Sequence, residues 1–251
     1  MLFRKLQLDW KYGVSELLIV VAGVLIALAA DGWAETRDER LLEEQYVRGL
    51  MTDLQADTAQ IHDAIRLAER RAQSVHRLIA EIDGGHLLGS DALANAVEES
   101  MWFTFPAYSR TTISDLMSTG NLRLIDDANL KRRVSEYYQR VDRLDQWSGN
   151  WRKIQMDLEA LIPELLPLSH REVITARLNS SAAPPWSVEL EVSTEDAAGI
   201  RQRLRTHPEY RTRLEGMGRI HGTLYTHLQL IADSALTALR AAEESALRFG
   251  A

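Results

Sequence analysis

Between Val14 and Ala30 the chain reads VSELLIVVAGVLIALAA, seventeen residues with one charge, Glu16. Elsewhere apolar residues recur at intervals of three and four, separated by charged ones. The first pattern predicts a helix that is apolar all round, and the second predicts helices with one buried seam. At about 1.5 Å per residue the run reaches about 25 Å, short of a hydrocarbon core of about 30 Å. Trp10 and Tyr12 before it and Trp33 after it are rings suited to the headgroup layer, and one helix from Trp10 to Trp33 covers about 35 Å. The run is therefore read as a transmembrane helix over 14–31. A short tail precedes it over 1–13 and a helical bundle follows over 32–251.

A cleaved signal peptide is the alternative, because a basic start, an apolar core and Ala27-Leu28-Ala29 before Ala30 fit that pattern too. Glu16, the aromatic residues just ahead of the run, and the lack of any helix breaker but Gly32 argue for retention. Both readings put most of the chain outside the cytoplasm. Arg4, Lys5 and Lys11 precede the run, while Asp31, Glu35, Asp38 and Glu39 follow it, which orients a retained span with its amino end in the cytoplasm.

From Trp33 to Asp83 no proline occurs, and a stripe runs through Val47, Leu50, Leu54, Ile61, Ala64, Ala68, Ala72, Val75, Ile79 and Ile82. Asp57 interrupts it, and the spacing slips near Ala72, as in bundle packing and unlike an ideal coiled coil. Gly84-Gly85 should end this helix. A short helix is expected from about Asp91 to Trp102, followed by a turn at FTFP over 103–106. Thr112 with Asp115 is spaced as a capping box for another short helix, closed by Gly120. Asp126 and Asp127 can cap a long helix from about Ala128 to Leu166, with a stripe through Leu130, Val134, Tyr137, Val141, Leu144, Trp151, Ile154, Leu158 and Leu161, whose end Pro163 should kink or shorten. An irregular tract over about 167–193 holds Pro184-Pro185, with Trp186 expected to pack on the bundle and Val188, Leu190 and Val192 alternating. The last helix should start near Ser193 to Glu195, be interrupted or bent around His207-Pro208, and continue to about Leu247 through Tyr210, Leu214, Met217, Leu224, Leu228, Ile231, Ala235, Ala238 and Ala242. The fold class is thus all-α, an amino-terminal transmembrane helix continuing into an elongated antiparallel bundle.

Composition removes several classes of function. With no cysteine in 251 residues, disulfides and thiolate-ligated metals are excluded. A net charge of −7 with scattered basic residues gives no electrostatic footprint for nucleic acid, whereas the basic tail is placed to meet anionic lipid.

Two segments carry a resemblance. Glu16 followed by LLIVVAGVLIAL, then Asp31, Trp33 and Glu35, resembles the start of a bacterial single-span membrane family whose members read Gly-Glu, an apolar run ending Ile-Ala-Leu, and Asn-Asn-Trp-Asn-Glu. The segment SDLMSTGNLRLIDDANLKRRVSEYY, residues 114–138, is similar to that family's central stretch. The chain departs from the family at Ser15 and at Ala30 to Gly32. The resemblance implies a retained anchor in the bacterial inner membrane and an all-helical extracytoplasmic part. The family has no assigned activity, cofactor or catalytic residue, so no functional residue carries over.

Candidate chemistry is sparse. An acid at mid-membrane costs about 2.5–3.5 kcal/mol, but Glu16 lies one turn inside the cytoplasmic end, where it can snorkel or be neutral. At about 100° per residue Glu16, Val20, Gly23, Ala27 and Ala30 share one narrow face, and Gly23-xxx-Ala27 permits close helix approach, so the stripe is a candidate oligomer seam. A ring of Glu16 side chains lining an ion or proton path is an extension of that reading.

The seven histidines include no i, i+4 pair and no H-E-x-x-H. His221, on the apolar stripe of the last helix, is read as a hydrogen-bonded core histidine, or else as part of a polar pocket with Tyr225 and His227. Tyr137, Tyr138, Trp147 and Trp151 are read as core, with a partner surface as the alternative, and Ser118 to Asn121 as a helix end. No nucleophile motif, P-loop or dinucleotide fingerprint occurs. No catalytic, metal or cofactor site is assigned. Two functions are consistent with this inventory. One is a membrane-anchored interaction or assembly module, oligomeric and able to hold a membrane-protein partner. The other is an extracytoplasmic ligand-sensing domain acting through such a partner, since about thirteen residues ahead of the span leave no room for a cytoplasmic output module.

Overall fold

The computed structural model describes residues 10–85, 87–167 and 192–250, with side chains from Glu16 onward. The tail over 1–9, the rings of Trp10 and Tyr12, His86, and the tract over 168–191 with Trp186, Val188 and Leu190 lie outside the described residues. Among those described, the chain is helical without a strand. Its helices are α1 (Trp10–Ile82), α2 (Ser90–Met101), α3 (Thr111–Ser118), α4 (Ala128–Glu159), α5 (Ile162–Leu165), α6 (Thr194–Thr206) and α7 (Tyr210–Ala246), with 3-10 turns at Asn121–Leu124 and Leu247–Phe249.

The 73 residues of α1 form one helix about 110 Å long. Gly32 does not break it; its carbonyl accepts the Thr36 hydroxyl at 2.8 Å. The end comes at Gly84, whose φ of 77° only glycine adopts without strain, and Gly85 N–H closes onto Ala80 O at 2.9 Å. Gly120 (φ 71°) likewise turns the chain after α3.

The contacts define an up-down-up-down bundle. From Gly85 the chain descends beside α1 through α2, the extended stretch over 102–110, and α3, until Asp126 N–H reaches Glu43 at 2.6 Å. Asp127 then caps α4 by accepting from Asn129 and Leu130 N–H, and α4 ascends parallel to α1. It ends at Ala160, and Pro163 falls in the first turn of α5, where its missing N–H leaves no bond unmade. Ser193 caps α6 through Asp196 N–H, and α7 descends until Arg248 pairs with Asp127 at 3.0 Å.

Two apolar clusters fill the interior. The lower one joins Leu50, Leu54, Ile61, Val134, Val141, Leu228 and Ile231, and the upper one joins Val75, Leu78, Leu93, Val97, Leu158, Ile200, Leu204 and Met217. The descending helix packs against both α1 and α4 because its buried face is small, with Ala232, Ala235, Ala238, Ala241 and Ala242. A Cβ on Gly218 would meet Val75 Cγ1 at 3.0 Å.

Three local expectations are corrected. Past Ala72 the buried positions of α1 are Ser74, Val75, Leu78 and Glu81, because α2 and α6 pack on a second side of the helix and widen the covered arc. Thr112 does not cap α3. It lies inside the first turn and donates its N–H to Asp53 of α1 at 3.0 Å, while Asp115 accepts the Tyr46 hydroxyl at 2.7 Å, so the cap is supplied in trans. Ile154 is 38% exposed, on the shoulder of α4 and not in the core.

The alanine seam makes the bundle sensitive to added volume. Ala235→Leu, at a fully buried position, should cost about 1–3 kcal/mol in urea or thermal unfolding of the full chain. An unchanged melting temperature would mean that α7 does not approach its neighbours this closely.

Candidate functional site

Glu16, Val20, Gly23, Ala27 and Ala30 all lie on α1, and all are exposed. A Cβ added at Gly23 would have nothing within 4 Å. Around them Leu17, Leu18, Ile19, Leu25, Ile26 and Leu28 are 60–72% exposed, and Trp33 is 67% exposed with Arg37 stacked over its ring at 5.8 Å. The bundle therefore covers none of this segment. Its packing on α1 begins near Leu42 and Tyr46.

A second constellation, seen in the sequence only as an interruption of the α1 stripe, is centred on Asp57. Its carboxylate is fully buried and accepts Ser109 N–H at 2.7 Å and the Tyr137 hydroxyl at 2.7 Å. One turn earlier Asp53 accepts the Ser109 hydroxyl at 2.8 Å, and Tyr138 donates to Ser109 O at 2.9 Å. Arg110 closes the outer side, paired with Asp142 at 2.7 Å and Asp145 at 3.2 Å and lying 6.0 Å over the Tyr138 ring.

Burial pushes the Asp57 carboxyl above the ordinary carboxylate range, and the charge of Asp53 adds to this; the bonds from Ser109 and Tyr137 oppose it. The Tyr137 hydroxyl is raised by burial and by its bond to Asp57, so it stays protonated and acts as a donor. The arrangement is a clasp that ties the non-helical stretch over 103–110 and α4 to α1.

A third polar group lies higher. Glu81, 1% exposed, accepts Leu88 N–H at 2.5 Å and pairs with Arg201 at 3.0 Å and Arg205 at 3.4 Å, fixing α6 over the α1–α2 turn. His221 is buried, and its Nε2 donates to Ser100 O at 3.0 Å. Burial lowers its pKa to about 4, so it is neutral at physiological pH. Tyr225 and His227 do not join it: Tyr225 accepts from Gln229 at 2.8 Å, and His227 sits edge-on to Trp147 with centroids 4.4 Å apart. Among the described residues no group of three His, Asp or Glu converges as a metal site.

The aromatic cluster expected in the core divides. Tyr137 and Tyr138 are buried, Trp151 is half-buried and stacks on Phe105 at 6.1 Å, and Trp147 is 42% exposed. Ten residues past Tyr137, Trp147 is rotated about 80° from it around the helix and so falls on the shoulder of α4.

Fold and surface together define an all-α protein in which, among the described residues, one amino-terminal helix is long and apolar enough to cross a membrane. No family profile, curated protein or solved structure matches the chain.

Two experiments test the clasp. Tyr137→Phe should cost about 1–3 kcal/mol, because the buried carboxylate loses one of two donors. The pH dependence has a definite sign. With its folded pKa raised above 3.8, Asp57 contributes stability that is complete below that value and is lost as pH rises through the folded pKa. Asp57→Asn lacks this loss, so its melting temperature minus that of wild type should rise between pH 3.5 and 7. A falling difference would show that the fold prefers the ionised form.

Proposed function

We propose that this protein is a membrane-tethered helical interaction module, with residues 14–31 spanning the bilayer, the amino end cytoplasmic, and the bundle held outside. The observation that carries the reading is the full exposure of the apolar part of α1. In a water-soluble protein a helix of this composition is covered by the rest of the fold, since each large apolar side chain left in water forgoes about 1.5–3 kcal/mol. Here nothing among the described residues covers Leu17 to Leu28. Lipid is the solvent that suits such a surface.

Trp33 then lies at the outer interface, and the exposed polar turn from Glu35 to Asp38 begins a stalk. From Trp33 to the first buried bundle residue, Tyr46, the helix rises about 20 Å. The resemblance to a single-span bacterial family supports the same topology in the inner membrane.

Within the bilayer the partner is a second copy of the chain, seated on Glu16, Val20, Gly23, Ala27 and Ala30. Small residues let two helices approach closely, and paired Glu16 side chains in such a seam can share a proton. The module then presents two or more bundles at a fixed height, as an assembly platform for another membrane protein.

Protease added outside spheroplasts should digest the region over 32–251, and complete protection would reverse the orientation. Gly23→Ile and Glu16→Leu should each reduce the oligomer mass measured in nanodiscs. An unchanged mass in both would remove the seam and leave a monomeric tether.

A further inference from the structure

Among the described residues Arg71 is the one buried arginine, at 3% exposure. Its guanidinium makes a single hydrogen bond there, from Nη1 to the Thr104 hydroxyl at 3.1 Å, and no carboxylate lies within ion-pair distance. Of the other buried charged groups, Glu81 has two arginines, Asp127 has Arg248, Asp57 has two donors and Glu98 has the Trp102 indole N–H. A neutral hydroxyl does not balance a cation, and a buried charge without a counter-charge is costly. Burial and the neighbouring Arg70 push the Arg71 pKa down to about 10 against the opposing charge of Glu99, the direction expected of a cation short of counter-charge.

Thr104 is also the wall of a groove of about 560 Å³ between α1 and the stretch over 104–107. Leu67, Phe105 and Pro106 give it apolar sides, and Arg66 and Arg70 stand along its rim. Their acidic neighbours are already engaged. Asp63 pairs with Arg66 in an exposed contact, while Glu99 accepts from Ser74 at 2.6 Å as well as facing Arg70 at 3.3 Å. Three guanidinium groups thus lie within two turns of α1, and of the carboxylates near them, Asp63, Glu69 and Glu99, none pairs with the buried Arg71 behind Thr104. A groove of this size, with apolar sides and a few convergent donors, suits a small ligand.

We propose that this groove binds a small-molecule anion, a carboxylate or a phosphate, whose head group lies on the Thr104 hydroxyl and Arg70 with Arg71 behind, and whose body lies along Leu67 and Phe105. The anion supplies the counter-charge that the fold withholds from Arg71, and in binding it ties the stretch over 104–107 to α1. This site goes beyond the tether reading and is independent of it, because the groove lies wholly within the bundle.

The test uses the full chain in a non-ionic detergent free of phospholipid. Sodium phosphate and, separately, sodium succinate replace chloride at constant ionic strength, with melting temperature and isothermal calorimetry as readouts. A saturable rise in melting temperature with either anion is expected. Arg70→Gln should weaken binding at least tenfold, and Thr104→Val should abolish it. Arg71→Met should melt at or above wild type in chloride and no longer respond to either anion, since it removes an uncompensated charge. A purely structural Arg71 predicts the opposite, a lower melting temperature in chloride with no anion response in wild type, and that result would overturn the proposal. So would an undiminished response in Thr104→Val, or a response that appears only when vesicles of anionic phospholipid are added, which would make a lipid head group the source.

Discussion

The absence of any break in α1 between its uncovered apolar part and its packed part governs the rest of the molecule. One helix is exposed on all sides from Glu16 to Arg37 and then carries a seam of the bundle core from Tyr46 to Glu81. Helical hydrogen bonds pass through Gly32 without interruption, so the two parts share one axis and one rotational phase. A linker of glycine and serine at that point would let the bundle swing freely. A continuous helix does not.

Around this axis the helices that are long and regular pack through apolar seams, while the pieces that are not regular are held by charge. Asp53 and Asp57, one turn apart on α1, take up Ser109 and Thr112 N–H, the backbone donors that an extended stretch entering a short helix leaves unpaired. Glu81 does the same for Leu88 N–H where α1 turns into α2, with Arg201 and Arg205 completing the set. Acids on α1 thus serve the connections of the descending limb, whose extended stretch leaves backbone donors unpaired even though Leu116 and Ile125 anchor it in the core. Arg71 breaks this regularity, being buried near the same limb without an acid to answer it.

Much of this was legible from spacing. The predicted ends at Gly84, Gly120, Asp127, Ser193 and His207 coincide with the observed ones, because a left-handed glycine, a capping carboxylate or a proline acts over one or two residues and needs no tertiary partner. The α7 stripe was legible for a related reason: its buried face is apolar but for His221 and Ser245, with small residues in its lower half. The polar clasp was not. Asp57 reads as a fault in a stripe until its partners Ser109 and Tyr137, 52 and 80 residues away, are brought beside it. Thr112 and Asp115 have capping-box spacing, but a carboxylate from α1 reaches the same N–H first. Past Ala72 the error came from assuming one buried face where two elements pack.

Rotational phase joins the exposed apolar segment to the bundle. At about 100° per residue, Glu16, Val20, Gly23, Ala27 and Ala30 fall within about 40° of one another's mean direction, and Leu41, Gln45, Arg48, Thr52 and Ala59 continue that face upward. All five of these upper residues are exposed. Val47, Leu50 and Leu54, which carry the core, point about 160–220° away, to the opposite side of the same helix. On the proposed pairing, a second copy seated on the lower face would meet the exposed side of α1 between Leu41 and Ala59. The upper face is polar apart from Leu41 and the single methyl group of Ala59, so the proposed association would depend on the apolar segment below. The core face and the proposed partner face lie on opposite sides of one helix, so each can be filled without disturbing the other.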